Sequence, residues 1–83
     1  MKIAVEFYSV LQDVAGRQRL DHETADEGVY RVADLLEALY ARFPGLGYWD
    51  SRLHVAVDLE FTSRDACLRD GQEVAIMPPF QGG

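Results

Sequence analysis

The sequence predicts a single two-layer α+β domain in which one main helix plus a short helix cover a mixed sheet of about five strands. Three observations carry that prediction. Residues 2–8 and 73–77 alternate apolar and polar positions, as half-buried strands do. Val32, Leu35, Leu36, Leu39 and Phe43 fall at i, i+3, i+4, i+7 and i+11, which draws a single apolar stripe along a helix. A helix with one such stripe must bury it, and one face of a sheet is the simplest cover.

Size and charge narrow the function. A chain of 83 residues forms one domain, and a domain of that size buries only about 60–65% of its unfolded surface, so a cleft holding a full catalytic apparatus is hard to fit. The 14 acidic and 8 basic residues give a net charge of -6, which argues against nucleic acid or an anionic membrane as partner and favours a basic protein surface. Cys67 is the one cysteine, so no intramolecular disulfide can form. No apolar run approaches the ~18 residues of a membrane span, and no signal-peptide core follows Met1, so the expected location is cytoplasmic.

Taken in order, Lys2 to Tyr8 reads as a strand with Ile3, Val5 and Phe7 on its dry face. Ser9-Val10-Leu11-Gln12 matches a capping box, predicting a short helix from Val10 to Ala15 that packs Val10, Leu11 and Val14 and ends at a left-handed Gly16. The polar stretch Gln18 to Glu23, with Leu20 in its middle, fits an edge strand paired to the first. An acidic turn from Glu23 to Gly28 leads to the main helix, which Pro44-Gly45 stops. Leu46 to Ser51 is expected to be a loop whose Tyr48 and Trp49 fold back onto the body, with an exposed Trp49 anchoring a partner as the alternative.

Alternation returns from Arg52, with Leu53, Val55 and Val57 opposite His54, Ala56 and Asp58. Asp58-Leu59-Glu60 reads as a tight connection, Phe61-Thr62 as a very short strand, and Leu68 as a lone core plug before the Asp70-Gly71 turn. In the last strand Val74 and Ile76 face inward, and Pro78 and Pro79 end it because neither has an amide hydrogen for a ladder. First and last strands lying parallel at the centre would satisfy the right-handed crossover rule. The expected division is a folded domain over 1–77 and a flexible tail over 78–83.

The tail carries most of the chemistry. Gly82 and Gly83 lack Cβ atoms, so they can pass through a channel too narrow for any side chain and deliver a carboxylate to another protein's active site. Fully extended, Phe80 to Gly83 would reach roughly 13 to 14 Å. His22 and His54 have no neighbours at metal-ligand spacing, and no metal site is expected. Cys67 reads as a half-buried structural thiol. No phosphate loop, nucleophile elbow or His-Glu-x-x-His motif is present.

An α+β body closing in Asp70-Gly71-x-Glu73-Val74 and then Pro78-Pro79-x-x-Gly82-Gly83 resembles the β-grasp, ubiquitin-like sulfur carriers, the family that includes the small subunit of molybdopterin synthase. The resemblance covers essentially the whole chain. The family usually has Asn where Asp58 stands, an acidic residue where Gln72 stands, and a Thr or Ser helix cap where Arg31 stands; the last change should weaken the start of the helix by about 1 kcal/mol unless Tyr30 or the acidic turn compensates.

The resemblance implies that a partner adenylating enzyme consumes ATP to convert the Gly83 carboxylate to an acyl-adenylate, and that a sulfurtransferase or other sulfur donor replaces AMP to leave a thiocarboxylate. The large synthase subunit would then hold cyclic pyranopterin monophosphate while Gly83 supplies the sulfur. No cofactor need be bound to this chain itself. Gly82 would let the terminus through, Pro78 and Pro79 would stiffen the tail, and Gln81 would lie within it. Phe80, Met77 and Phe61 are the candidates for an apolar docking patch, with shielding of the sheet's own edge as the alternative for Phe61. Competing readings are a carrier for thiamine thiazole, tungsten cofactor, cysteine or tRNA thiolation, a ubiquitin-like modifier joined to lysines through Gly83, and a binding module with an inert tail.

Overall fold

The structure, a computed structural model, describes residues 1–25 and 28–79. Its five strands are β1 (Lys2–Phe7), β2 (Arg19–Glu23), β3 (His54–Val57), β4 (Glu60–Phe61) and β5 (Glu73–Met77), and its helices are α1 (Leu11–Ala15), α2 (Val32–Arg42) and α3 (Pro44–Gly47), followed by a 3₁₀ turn at Asp50–Arg52. The sheet runs β2-β1-β5-β3-β4. Only β1 and β5 are parallel, and they lie at its centre as expected, with Val5 opposite Val74 and Phe7 opposite Ile76.

Inward-facing residues of β1, β5 and β3 meet the apolar stripe of α2 in one core. Ile3, Val5, Val32, Leu35 and Ile76 are wholly buried, and Leu36, Leu39 and Val74 nearly so. Phe43 caps the stripe, its ring edge-on to Phe7 at 5.8 Å. Leu68 plugs the core from its connecting segment. The turn before β5 is tied to β1: Asp70 Oδ1 accepts from the Lys2 amide at 2.7 Å and the Gly71 amide donates to Lys2 O at 2.8 Å, while Gly71 takes the φ of +87° that a side chain would resist.

Three local expectations fail for physical reasons. The capping box at Ser9-Gln12 does not form. The Tyr8 amide still bonds Ile76 O, so the chain must bend sharply off β1, and Ser9 takes φ +55° instead of the extended geometry a cap requires. Helix α1 starts at Leu11 with Val10 before it, and Val10 is 41% exposed rather than packed. Leu46 to Ser51, expected to be a loop, is largely helical, so successive side chains point about 100° apart. Leu46 and Trp49, at i and i+3, turn inward, and Tyr48 between them is exposed. Cys67, expected to be half-buried, is exposed because its neighbours Ala66 and Leu68 take the inward positions.

Helix α2 shows how the unusual Arg31 is tolerated. Asp34 Oδ2 accepts from the Arg31 amide at 2.8 Å, and the Val32 and Ala33 amides donate to Ala66 O and Arg64 O, both at 3.0 Å. The free amides of the first turn are thus satisfied by a distant loop instead of a cap side chain. That loop is pinned in turn by Arg64, whose Nη1 donates to Asp50 Oδ1 at 2.6 Å and whose Nη2 donates to Asp50 O; Tyr40 donates to the same carboxylate at 2.6 Å.

Candidate functional site

Strand β5 leads directly to the last described residues. Its pairing with β1 and β3 holds it through Met77, and Pro78 and Pro79 follow at once, half-buried, where the ladder can no longer continue. The chain therefore leaves from the sheet's central strand, a fixed point of departure. Around it lies a groove of roughly 450 Å³ lined by Tyr8, Ser9, Val10, Trp49 and Met77 together with the two prolines. Phe80, Gln81, Gly82 and Gly83 lie outside the described residues.

The face of the sheet away from α2 divides by chemistry. In the β5-β3-β4 half, cross-strand register sets Met77 opposite His54, and Ala56 opposite both Ala75 and Phe61. Side chains opposite one another share a face. The Phe61 ring, 64% exposed, meets His54 edge-on at 6.4 Å, so His54 bridges Met77 and Phe61 into one strip over an alanine floor. In the β1-β2 half, Arg19 reaches Glu6 at 3.0 Å and Glu73 at 3.6 Å. A hydrogen bond to Glu6, reinforced by its charge, holds the Tyr8 phenol above its ordinary pKa.

Two expected docking residues, Met77 and Phe61, are thus brought to one surface, and Pro78 and Pro79 stand at its margin. Three residues of the groove, Tyr8, Ser9 and Val10, were not foreseen. Tyr8 sits on the polar side of the β1 alternation, which marks it as outward-facing, but nothing local shows that the last strand ends beside it. Trp49 joins them while packing on the core, half-buried, as its first reading expects.

Other titratable groups lie apart. His22 Nε2 and Tyr30 Oη are 3.0 Å apart with their rings stacked, and burial, aided by the Arg42 charge, lowers the imidazole pKa. Among the described residues no three His, Cys, Asp or Glu side chains could hold a metal ion, and no helix is long and apolar enough to cross a membrane.

A sequence model of the ThiS family matches residues 5–83, nearly the whole chain. This chain belongs to the ThiS family. Along its full length it is 32% identical to the molybdopterin synthase sulfur carrier subunit of Chlamydomonas reinhardtii, and each sequence is covered completely. Its fold is that of a putative molybdopterin converting factor, subunit 1, from Pyrococcus furiosus, at a TM-score of 0.86 and 27% identity over 96% of this chain and 99% of the other. SAMP1 from Haloferax volcanii shares the fold at a TM-score of 0.84 and 24% identity, with both chains fully covered. So does the Helicobacter pylori complex of subunits 1 and 2 of molybdopterin-converting factor, at 0.70 and 19%, again with full coverage. The β-grasp, ubiquitin-like fold that the family shares is the five-strand sheet and covering helix described above.

Proposed function

We propose that this ThiS-family chain is the sulfur-carrying small subunit of a molybdopterin synthase. The observation that carries the reading is the end-to-end match to a molybdopterin synthase sulfur carrier subunit. Its geometry suits the role. The central strand ends at Pro78 and Pro79 beside the strip of Met77, His54 and Phe61, which a partner could grip while the terminus enters its active site.

In this reading the Gly83 carboxylate does the carrying. A carboxylate is a poor electrophile at neutral pH, so a partner adenylating enzyme must first join it to AMP at the expense of ATP. A sulfur donor then displaces AMP, leaving a thiocarboxylate that is a nucleophile without help from any base on this chain. The large synthase subunit holds cyclic pyranopterin monophosphate and receives the sulfur, with Gly82 keeping the approach free of side chains and Phe80, Met77 and Phe61 holding the body in place. The two prolines restrict the tail before docking, which lowers the entropy lost on binding. The chain supplies a reactive end, and its partners supply the chemistry.

The test is delivery. Protein charged at Gly83 is offered to the large subunit with the pterin precursor, and separately to a thiazole-forming system. Sulfur transfer to the pterin is the expected result; transfer to the thiazole alone would assign the chain to thiamine synthesis. The fold shared with SAMP1 raises protein modification as a second reading, and larger covalent adducts at target lysines in cell lysates would favour it.

A further inference from the structure

Strand β2 lies at one edge of the sheet, and its sequence is complementary to itself. The Gln18 carbonyl accepts from the Phe7 amide and the Thr24 amide donates to Met1 O, both at 2.9 Å, so the even-numbered residues turn their backbone groups towards β1. Backbone directions alternate along an antiparallel strand, which leaves the amides and carbonyls of Arg19, Asp21 and Glu23 pointing outward. Among the described residues no other strand pairs with that side.

Proteins ordinarily blunt such an edge with Lys, Pro, a bulge or a covering element. Strand β2 has neither Lys nor Pro, and its register with β1 runs unbroken from Glu23 to Arg19. Its protection is charge. Arg19, Asp21 and Glu23 are exposed and share the open face of the sheet, since Leu20 between them is buried on the other. These charges oppose most strands but match a second copy of their own.

Two β2 strands laid antiparallel with Leu20 opposite Leu20 set Arg19 of each copy opposite Asp21 of the other, where the outward backbone groups also face one another. Arg17, exposed just before the strand, comes level with Glu23 of the other copy. Arg19 already reaches Glu6 and Glu73, yet its side chain is 53% exposed, and the five N–H donors of a guanidinium can serve a further carboxylate. Moving the axis to Asp21 would instead bring two carboxylates face to face.

We propose that β2 is a self-association edge at which two copies of this chain pair antiparallel about Leu20, joining two five-strand sheets into one. Strand β1 separates β2 from β5, so the pairing leaves the strip of Met77, His54 and Phe61 open on both copies. A contact between two five-residue strands is small, and the net charge of -6 on each copy opposes it, so the dimer is weak and reversible. The inference stands apart from the sulfur-carrier reading.

Sedimentation of the full chain from about 10 μM to about 1 mM, the range suited to so small an interface, should show a reversible equilibrium between monomer and dimer. Amide NMR shifts should move with concentration at Arg19, Asp21 and Glu23 and stay fixed in β4. Arg19→Asp and Asp21→Arg each set like charges opposite one another and should weaken self-association about tenfold. An equal mixture of the two variants pairs Asp with Arg at both positions and should dimerise within about threefold of the parent. Asp21 is exposed, so Asp21→Asn keeps the fold, as melts will check, and should weaken the dimer about three- to tenfold. A stronger dimer from Asp21→Asn would place the axis at Asp21 and overturn the pairing. A chain that stays monomeric throughout, or a mixture no better than its components, would overturn the proposal and leave the test of sulfur delivery untouched.

Discussion

Gln72 Nε2 donates to Asp58 Oδ2 at 3.1 Å, joining the β3–β4 hairpin to the turn that precedes β5. The other Asp58 oxygen accepts from the Glu73 amide at 3.0 Å, and Gln72 Oε1 accepts from the Arg69 amide at 2.7 Å. The sulfur-carrier pattern has Asn at the first position and an acidic residue near the second. The Asp58 carboxylate only accepts and the Gln72 amide supplies the donor, so an exchange of carboxylate and amide between the two positions would keep a donor and an acceptor in every hydrogen bond.

That exchange predicts coupling. Asp58→Asn alone sets two amides donor to donor, and Gln72→Glu alone sets two carboxylates side by side; each should cost about 1 kcal/mol in urea unfolding. The double variant restores the pairing and should return to within about 0.5 kcal/mol of the parent. Strictly additive losses would show that the two residues do not act together.

Core and surface should differ sharply. Leu36 is 1% exposed on the inner face of α2, so Leu36→Ala should cost roughly 2 to 5 kcal/mol. Arg64→Ala removes an ion pair whose side chains are 39% and 49% exposed, and solvent screening should hold that loss to about 1 kcal/mol. Thermal or denaturant melts of the two variants side by side check the order.

Two groups give the stability a definite pH dependence. Burial, and secondarily Arg42, lowers the His22 pKa in the folded state, so the unfolded chain binds the proton more readily just below the ordinary histidine value. Stability should fall as pH drops through about 6.5, and His22→Gln should flatten that step. Asp50 behaves alike at lower pH: hydrogen bonds from Tyr40 and then Arg64 depress its pKa, so its contribution is complete above the ordinary carboxylate range and fades as pH falls towards the lowered value. Asp50→Asn should remove that acid-side loss. Proton titration by NMR, with melts at each pH, reads both.

Gly82→Val should leave the melting temperature unchanged while blocking sulfur delivery, because a branched side chain cannot follow the terminus through a narrow channel. Single-turnover transfer to the pterin precursor measures it. Normal turnover at normal affinity would contradict the steric argument.

Much of the fold was legible because it follows periodicity. The alternation of Val74 and Ile76 and the stripe from Val32 to Leu39 place the central strand and the covering helix directly. What escaped depends on long-range geometry. Ser9 has the sequence of a cap, yet Tyr8 remains bonded to Ile76 and leaves no room for a cap's backbone. The amides at the start of α2 find Arg64 and Ala66 more than thirty residues away, so a rule confined to neighbours sees only a missing Ser or Thr. Leu59 at positive φ has no local signature at all. The candidate site divides in the same way: Gly82 and Gly83 stand out from residue type alone, whereas the meeting of Tyr8, Val10 and Trp49 beside Pro78 becomes visible only once β1 and β5 are paired.

The most direct measurement is the intact mass of the chain after incubation with its adenylating enzyme, ATP and a sulfur source. Replacement of one oxygen at Gly83 by sulfur should add about 16 Da and create a nucleophile that an alkylating reagent traps at the terminus. An unchanged mass with a demonstrably active adenylating enzyme, or a gain located anywhere other than Gly83, would contradict the claim that this domain exists to carry sulfur on its last residue.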